Sequence, residues 1–279
     1  MSINYIIILF RKFLYFFYRI VSIFNFKSRT ATSKGIERLF KHDVDDFFSF
    51  NIQGYIIISP NEKMVPILYH HIFKREIYKF KLNNSKPKII DCGSNIGMAI
   101  LYWKKISSEA EIIAFEPSEM NFRALKYNIE MNSINNVTLI NAAISSKIGN
   151  FFFTDNDAAS GSLFLEKDLD RKYIVNTVRL DNYLQEEIDF LKIDIEGEEI
   201  NILDQVVDNL KNIQNIFIEY HSFLGRPQKL SMFLKSLEDN NFRYYIEGEY
   251  SNNAPLFNNH TKLKQDLQVA IWAKKSENE

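Results

Sequence analysis

From residue 86 the chain alternates short apolar segments with stretches of helical period, and that alternation admits few architectures. Lys88-Ile89-Ile90-Asp91 reads as a strand, followed by a helix from about Gly97 to Ile106. Further strands are expected at Glu111 to Phe115, Val137 to Asn141, Phe190 to Ile193, Asn215 to Glu219, Arg243 to Ile246 and Leu267 to Lys274. Helices are expected at Glu119 to Met131, Glu198 to Leu210 and Lys229 to Asn240, with a β-rich interlude (NFFFTDND, then YIVNTVRLDNYL) in between. Short apolar strands alternating with helices build a parallel sheet covered on both faces. Ligands of such sheets bind at the carboxyl ends of the strands, where the strand order reverses. Functional side chains are therefore sought just after each strand.

The first strand runs into Asp91-Cys92-Gly93-Ser94-Asn95-Ile96-Gly97. Two glycines allow tight backbone approach, and the following helix N-terminus favours a polar or anionic ligand group. A dinucleotide fold would carry G-x-G-x-x-G here. This chain has D-x-G-x-N-x-G, in which Asp91 opposes a pyrophosphate and suits a ligand bearing an ammonium group. Against a nucleotide-dependent dehydrogenase, both the missing glycine and the acid count. The second strand ends Glu116-Pro117-Ser118, an acid 23 positions past Gly93, which is placed to accept hydrogen bonds from two ribose hydroxyls. Pro117 and Ser118 are equally what a helix start looks like. A nucleoside carrying an amino acid and no phosphate is S-adenosylmethionine.

The segments IIDCGSNIGMAILYW, IIAFEPSEMNFRALKYNIEMN, NAAIS, VRLDNYL, FLKIDIEGEE and FIEYHSF occur in an order and spacing that resemble the FkbM family of S-adenosylmethionine-dependent methyltransferases. The resemblance runs from about Glu76 to Lys275, and residues 1–75 fall largely outside it. It implies an α/β class I methyltransferase fold, Rossmann-like, with a seven-stranded sheet whose last strand is antiparallel. It also implies methyl transfer to oxygen, typically a hydroxyl of a sugar, glycolipid or polyketide. The cofactor-binding residues it implies are Asp91, Gly93, Ser94, Asn95 and Gly97 for the methionine part and Glu116 with Pro117 for the ribose. Asn141, Ala142 and Ala143 would then face the adenine. Glu76 and Tyr78 match a family pattern and are expected to cover the cofactor.

Lys192-Ile193-Asp194-Ile195-Glu196-Gly197-Glu198-Glu199 follows the fourth strand, and Glu219-Tyr220-His221-Ser222 the fifth. The fourth strand lies beside the first, so Asp194 is expected near the transferable methyl. An alcohol must lose its proton on methylation, which calls for a base or for a metal that acidifies the hydroxyl. His221, with an ordinary pKa of about 6.5, suits the base, and Asp194 and Glu196 complete the catalytic candidates. Glu198 and Glu199 open a helix, where negative charge is favourable on dipole grounds alone. A metal-assisted variant also fits, with Asp194, Glu219 and His221 as ligands of a divalent ion. A third reading is a non-catalytic cofactor-binding subunit of a glycan-modifying complex. His42, His70, His71 and His260 read as structural or surface histidines, and Cys92 as a small buried residue. Residues 155–162 are the candidate acceptor loop.

Ahead of the regular part, IERLFKHDVDDFFSF is expected as a helix, YIIIS as a strand and MVPILYHHIFKREIYKF as a second helix. The division expected is 1–35 as basic amphipathic helix and linker, 36–82 as an N-terminal extension of helices and a strand, and 83–279 as the methyltransferase domain. Residues 3–26 are the most apolar and aromatic stretch, but Arg11, Lys12 and Arg19 interrupt them too often for a span of about 20 apolar residues. No charged segment precedes the apolar run as in a signal peptide. On a helix, Asn4, Arg11, Lys12, Tyr15, Arg19 and Ser22 share one side, the pattern of a segment lying in an anionic membrane interface. The alternative is a helix packing on the domain or on a second subunit.

The charge is partitioned accordingly. Of 34 basic and 35 acidic residues, six basic and no acidic ones fall in the first 36 positions, leaving −7 for the remainder. That gives no field to attract nucleic acid. One cysteine excludes a disulfide framework and suits the cytoplasm. The expected partners are a carbohydrate or lipid-linked glycan and the inner membrane face. Deleting residues 1–30 is expected to release the protein from anionic vesicles in a flotation assay while S-adenosylmethionine binding persists; undiminished flotation would identify a packing helix.

Overall fold

The computed structural model describes residues 31–33, 36–41, 47–156, 160–162, 172–250 and 265–276. The segment 3–26, His42, His260 and residues 157–159 of the candidate acceptor loop lie outside them. Among the described residues no helix is long and apolar enough to cross a membrane.

The centre is a seven-stranded sheet. In chain order its strands are β5 (Lys88–Cys92), β6 (Glu111–Phe115), β7 (Val137–Ile140), β12 (Phe190–Ile193), β13 (Asn215–Phe223), β14 (Phe242–Tyr250) and β15 (Gln265–Lys275). Their spatial order is β14-β15-β13-β12-β5-β6-β7. Every pairing from β13 across to β7 is parallel, and β15 runs antiparallel to both its neighbours. This is the expected class I methyltransferase sheet. The strands between its edges are mainly apolar because both faces are covered, with Asp91, Lys192, Glu219 and His221 among the charged or polar exceptions. Helices α2 (Met98–Ile106), α3 (Glu119–Met131), α4 (Glu199–Val207) and α5 (Leu230–Asp239) lie along the chain between them. Each begins within a residue of its expected start.

Two four-stranded sheets flank this frame. One, in the order β10-β9-β11-β8, is formed by β8 (Ala143–Ile144), β9 (Gly149–Asn156), β10 (Ser160–Ser162) and β11 (Lys172–Val178). It is the expected β-rich interlude. The other corrects the sequence reading. Of residues 36–50, expected as a helix, 36–41 and 48–50 instead contribute to an antiparallel meander with β1 (Ala31–Ser33) inside the expected linker, β2 (Ile36–Lys41), β3 (Phe48–Ile52) and β4 (Tyr55–Ser59). The reason is local. Gln53 and Gly54 both take positive φ, 51° and 93°, and Ile52 pairs with Tyr55 across them. A two-residue turn with both φ positive is the tight hairpin connection that matches strand twist. Phe50 and Ile52 are then buried on one face, and Ser49 is buried on the other.

The second expected helix is real but shorter: α1 (Met64–Tyr69) continues as one π-helical stretch, His70–Lys74. Phe47, Phe50, Ile52, Ile57 and Ile58 share one core with Ile89, Trp103, Leu125 and Phe190. Side-chain amides seal the junction. Asn128 on α3 and Asn132 at its C-terminal cap, four residues apart, face the outer edge of β4 and act as a strand would. Asn128 Oδ1 accepts from Ile58 N at 2.7 Å, and its Nδ2 donates to Ile58 O at 3.0 Å and to Ile96 O at 2.9 Å. Asn132 repeats the exchange with Ile56 at 2.8 and 2.7 Å. Asn128 is fully buried, so Asn128→Ala leaves several backbone groups without partners, each worth about 1–3 kcal/mol. Urea unfolding is expected to show a larger loss for Asn128→Ala than for the half-exposed Asn132→Ala. Equal losses would contradict the burial argument.

Candidate active site

The strand order reverses between β5 and β12, which puts the ligand crevice at their carboxyl ends. After β5 the chain turns at Gly93, φ 86°, where a Cβ would stand 1.8 Å from the backbone oxygen of Asp194. Only glycine allows β5 and β12 to meet this closely. Gly93 N and Ser94 N both donate to Phe115 O, at 3.0 and 2.9 Å, which fastens the loop to β6. At Gly97, φ 86°, a Cβ would meet Leu125, so this residue sets helix packing and lies outside the cavity wall.

Glu116 ties the two turns together. It is 5% exposed, Oε2 accepting from Asn95 N at 2.8 Å and Oε1 from Ser118 N at 2.9 Å. Ser118 caps α3 as well, accepting from Asn121 N, so the helix-start reading of this segment is realised, and Glu116 and Pro117 line the cavity beside it. Asn141 is exposed and donates to Glu116 O at 2.8 Å, supporting the turn from behind.

The acidic end is built on a buried anchor. After β12 the backbone takes positive φ at Glu196 (55°) and Gly197 (101°). Glu199, fully buried, holds that turn: its Oε1 accepts from Ile195 N at 2.9 Å and its Oε2 from Gly197 N at 2.8 Å. His221 Nδ1 lies 3.2 Å from Glu199 Oε1, and this partner assigns a proton to Nδ1. Glu199 therefore does more than complement a helix dipole. His221 Nε2 points the other way, 3.6 Å from Glu219 Oε1 and 3.7 Å from Glu196 Oε2. Glu219 also accepts from Gln268 Nε2.

Sequence reasoning put His221 beyond its strand. Instead β13 runs on to Phe223, paired with β15 throughout, and His221 sits opposite Gln268. Its side chain is 3% exposed and forms no part of the cavity wall. The free general base expected there is instead a buried ring between carboxylates.

Lys192, unremarked in the sequence, is the other centre of charge. Its Nζ is buried, 2.8 Å from Gly93 O, 3.3 Å from Asp91 Oδ1 and 3.5 Å from Asp194 Oδ2. The signal was present: a lysine inside the apolar strand FLKI has to be paired. Asp91 is fully buried behind the loop, facing Lys192 rather than the cavity, and neither of its oxygens accepts a hydrogen bond. Burial alone would lower the Lys192 pKa, but Asp91, Tyr78 and Asp194 outweigh it and hold the ammonium well above its ordinary value. Burial, then Glu219, pushes Asp194 up to about 6. Burial, then Asp194 and Glu199, pushes Glu196 up to about 8. Burial opposes protonation of His221, yet Glu199, Glu219 and Glu196 raise it well above 6.5.

These parts enclose one cavity of about 330 Å³, within the range of about 300–1,000 Å³ usual for small-molecule sites. It brings together Gly93, Ser94, Asn95, Glu116, Pro117, Ala143, Asp194, Glu196 and Glu219. It does not bring in Asp91, Gly97, Asn141, Ala142 or His221. Of the two residues expected to cover the cofactor, Tyr78 lines the cavity, whereas Glu76 bonds Tyr102 and Lys79. Sequence reasoning missed the opposite wall, Met64, Ile67, Leu68, His71 and Ile72 from α1 and its π-helical extension, and Phe153 of β9. Asp194, Glu219 and His221 each offer a ligand atom, all within 4.8 Å of one another.

The family model described as the methyltransferase FkbM domain matches residues 91–244. Methyltransferase sdnD of Sordaria araneosa is 27% identical over 227 residues, 68% of this chain and 85% of that protein. Methyltransferase 1 of Beauveria bassiana is 25% identical over 191 residues, 59% of this chain and 77% of that protein. Among solved structures, methyltransferase FkbM from Methylobacillus flagellatus aligns with a TM-score of 0.46 at 16% identity, over 73% of this chain. The alignment spans 47% of that longer structure, about half its length. TYW2 of M. jannaschii, solved in complex with AdoMet, aligns with a TM-score of 0.48 at 15% identity, over 84% of this chain and 87% of its own.

The Gly93 contact yields a direct test. Gly93→Ala is expected to cost at least about 1–3 kcal/mol in urea unfolding, because the turn is strained for any side chain and Asp194 O occupies the space. A variant as stable as the parent would show that β5 and β12 do not meet this closely.

Proposed function

This chain belongs to the methyltransferase FkbM domain family, and from that premise we propose that it transfers the methyl group of S-adenosylmethionine to a hydroxyl of a sugar, glycan or glycolipid. One observation carries the reading. A turn of the cofactor-binding type and a carboxylate cluster open into the same cavity, separated by the contact between Gly93 and the Asp194 backbone. S-adenosylmethionine supplies, when bound, a methyl group on a sulfonium centre.

The chain's own residues divide the remaining work. The Gly93–Asn95 turn accepts the amino-acid part without side-chain obstruction, and Glu116 takes the ribose hydroxyls. Ala143 and Pro117 give the adenine flat, apolar contact. Asp194 and Glu196 line the other end, where the acceptor oxygen must approach in line with the bond being broken. Transfer to oxygen forms one C–O bond as one C–S bond breaks, leaves the electron pair on sulfur and releases the hydroxyl proton. Asp194, pushed up only to about 6, faces the cavity as the carboxylate to receive it. Glu196, pushed up to about 8 and so still protonated at neutral pH, positions the hydroxyl beside it. His221 supports them from behind. The apolar side chains of Met64, Ile67 and Leu68 on α1 form the opposite wall of the cavity. Phe153 lines the cavity, and acceptor selection is assigned to residues 155–162 of the same β-rich interlude.

The test is a transfer assay with methyl-labelled S-adenosylmethionine and extracts of the source cells, with the labelled product identified by mass spectrometry. A methyl ether on a carbohydrate is expected; label on nitrogen or on protein would refute the hydroxyl acceptor. Glu116→Ala is expected to abolish cofactor binding in equilibrium dialysis. Asp194→Asn and Glu196→Gln are expected to lower kcat at least about tenfold and leave that binding within about threefold. Unchanged kcat in both would remove the carboxylates from the reaction.

A further inference from the structure

Behind the cavity's acidic end, the arrangement around His221 goes beyond what methyl transfer alone requires. Four side chains converge from two adjacent strands: Asp194 and Glu196 from the turn after β12, and Glu219 and His221 from one face of β13. His221 Nε2 is buried and stands 3.6 Å from Glu219 Oε1 and 3.7 Å from Glu196 Oε2. Those separations are too long for hydrogen bonds. They are what two donors on a common cation show, since bonds of about 2.0–2.4 Å put neighbouring ligand atoms roughly 3–4 Å apart.

The second observation is independent of the cluster. Glu199 contributes no atom to it, yet holds His221 Nδ1 at 3.2 Å and is itself fixed by two backbone N–H groups. A carboxylate on the far nitrogen keeps a proton on Nδ1, so that a cation could displace the Nε2 proton and take its lone pair, the usual outer-shell arrangement of a metal-binding histidine. A divalent cation there would take the place of the proton that otherwise sits on Nε2 between Glu219 and Glu196. The nearby ammonium of Lys192 reaches Asp194 on one side only and is shared with Asp91.

We propose that Asp194, Glu219 and His221 bind a divalent cation, with Glu196 beside it, at the end of the cavity where the acceptor hydroxyl enters. One imidazole with carboxylate oxygens suits a borderline ion such as Mn²⁺ better than Mg²⁺, which prefers oxygen alone. Its place in catalysis rests on the methyl-transfer reading: a hydroxyl bound to the cation is more acidic and is held for in-line approach. Cation binding itself does not depend on that reading.

The test uses the full chain, stripped with EDTA and titrated with Mn²⁺ alone, free Mn²⁺ being read by its EPR signal. One Mn²⁺ per chain is expected. His221→Gln and Asp194→Asn should each weaken it at least about a hundredfold, and Glu199→Gln about ten- to a hundredfold through His221. Each variant is checked for S-adenosylhomocysteine binding, which reports a folded cofactor half and reads the functional proposal separately. No stoichiometric uptake by the parent chain, or equal uptake by folded His221→Gln and Asp194→Asn, would overturn the site while leaving methyl transfer standing. Mn²⁺ uptake without any S-adenosylhomocysteine binding would do the reverse.

Discussion

The buried ammonium of Lys192 is the interaction on which the rest of the site depends. It stands where β5 and β12 run side by side, bonded to Gly93 O and paired with Asp91 and Asp194. A charge this deep is tolerated only when paired, and breaking such a pair by removing one partner costs about 3–5 kcal/mol. Lys192 thus binds the carbonyl of one turn and the carboxylate of the other. With Gly93 free of a side chain, the two turns meet within a van der Waals contact. Cofactor recognition on one side and acid chemistry on the other are brought to one cavity by that closure.

Much of the fold was legible because its signals are local. Each central strand is a short run whose two faces are both covered, and each helix shows its own apolar period. The N-terminal hairpin was missed because the phenylalanines around residue 48 satisfy a helical spacing as well as an alternating one. The deciding residues were Gln53 and Gly54, whose turn conformation fixes the strand register. In the site, Gly93 and Glu116 could be read from their spacing after strands, since the sheet dictates where such residues end. The opposite wall could not. Met64, Ile67 and His71 face the cavity because Asn128 and Asn132 hold β4 against α3, a long-range placement that no local pattern encodes.

His221 shows how tertiary context reassigns a residue. Its ordinary pKa and its position near a strand end fit a base. The extension of β13 to Phe223 buries it, and Glu199 occupies one nitrogen while carboxylates flank the other. Asp91 is reassigned likewise, from a ligand contact to the counter-ion of Lys192. In both cases the sequence located the right strand end, and packing decided which side of the chain the charge would serve.

The most direct measurement is a crystal structure of the chain with S-adenosylhomocysteine. The account predicts the ribose hydroxyls on Glu116, the amino-acid part along Gly93–Asn95 and the sulfur turned toward Asp194 and Glu196. A ligand bound elsewhere, or one whose sulfur faces away from those carboxylates, would contradict it.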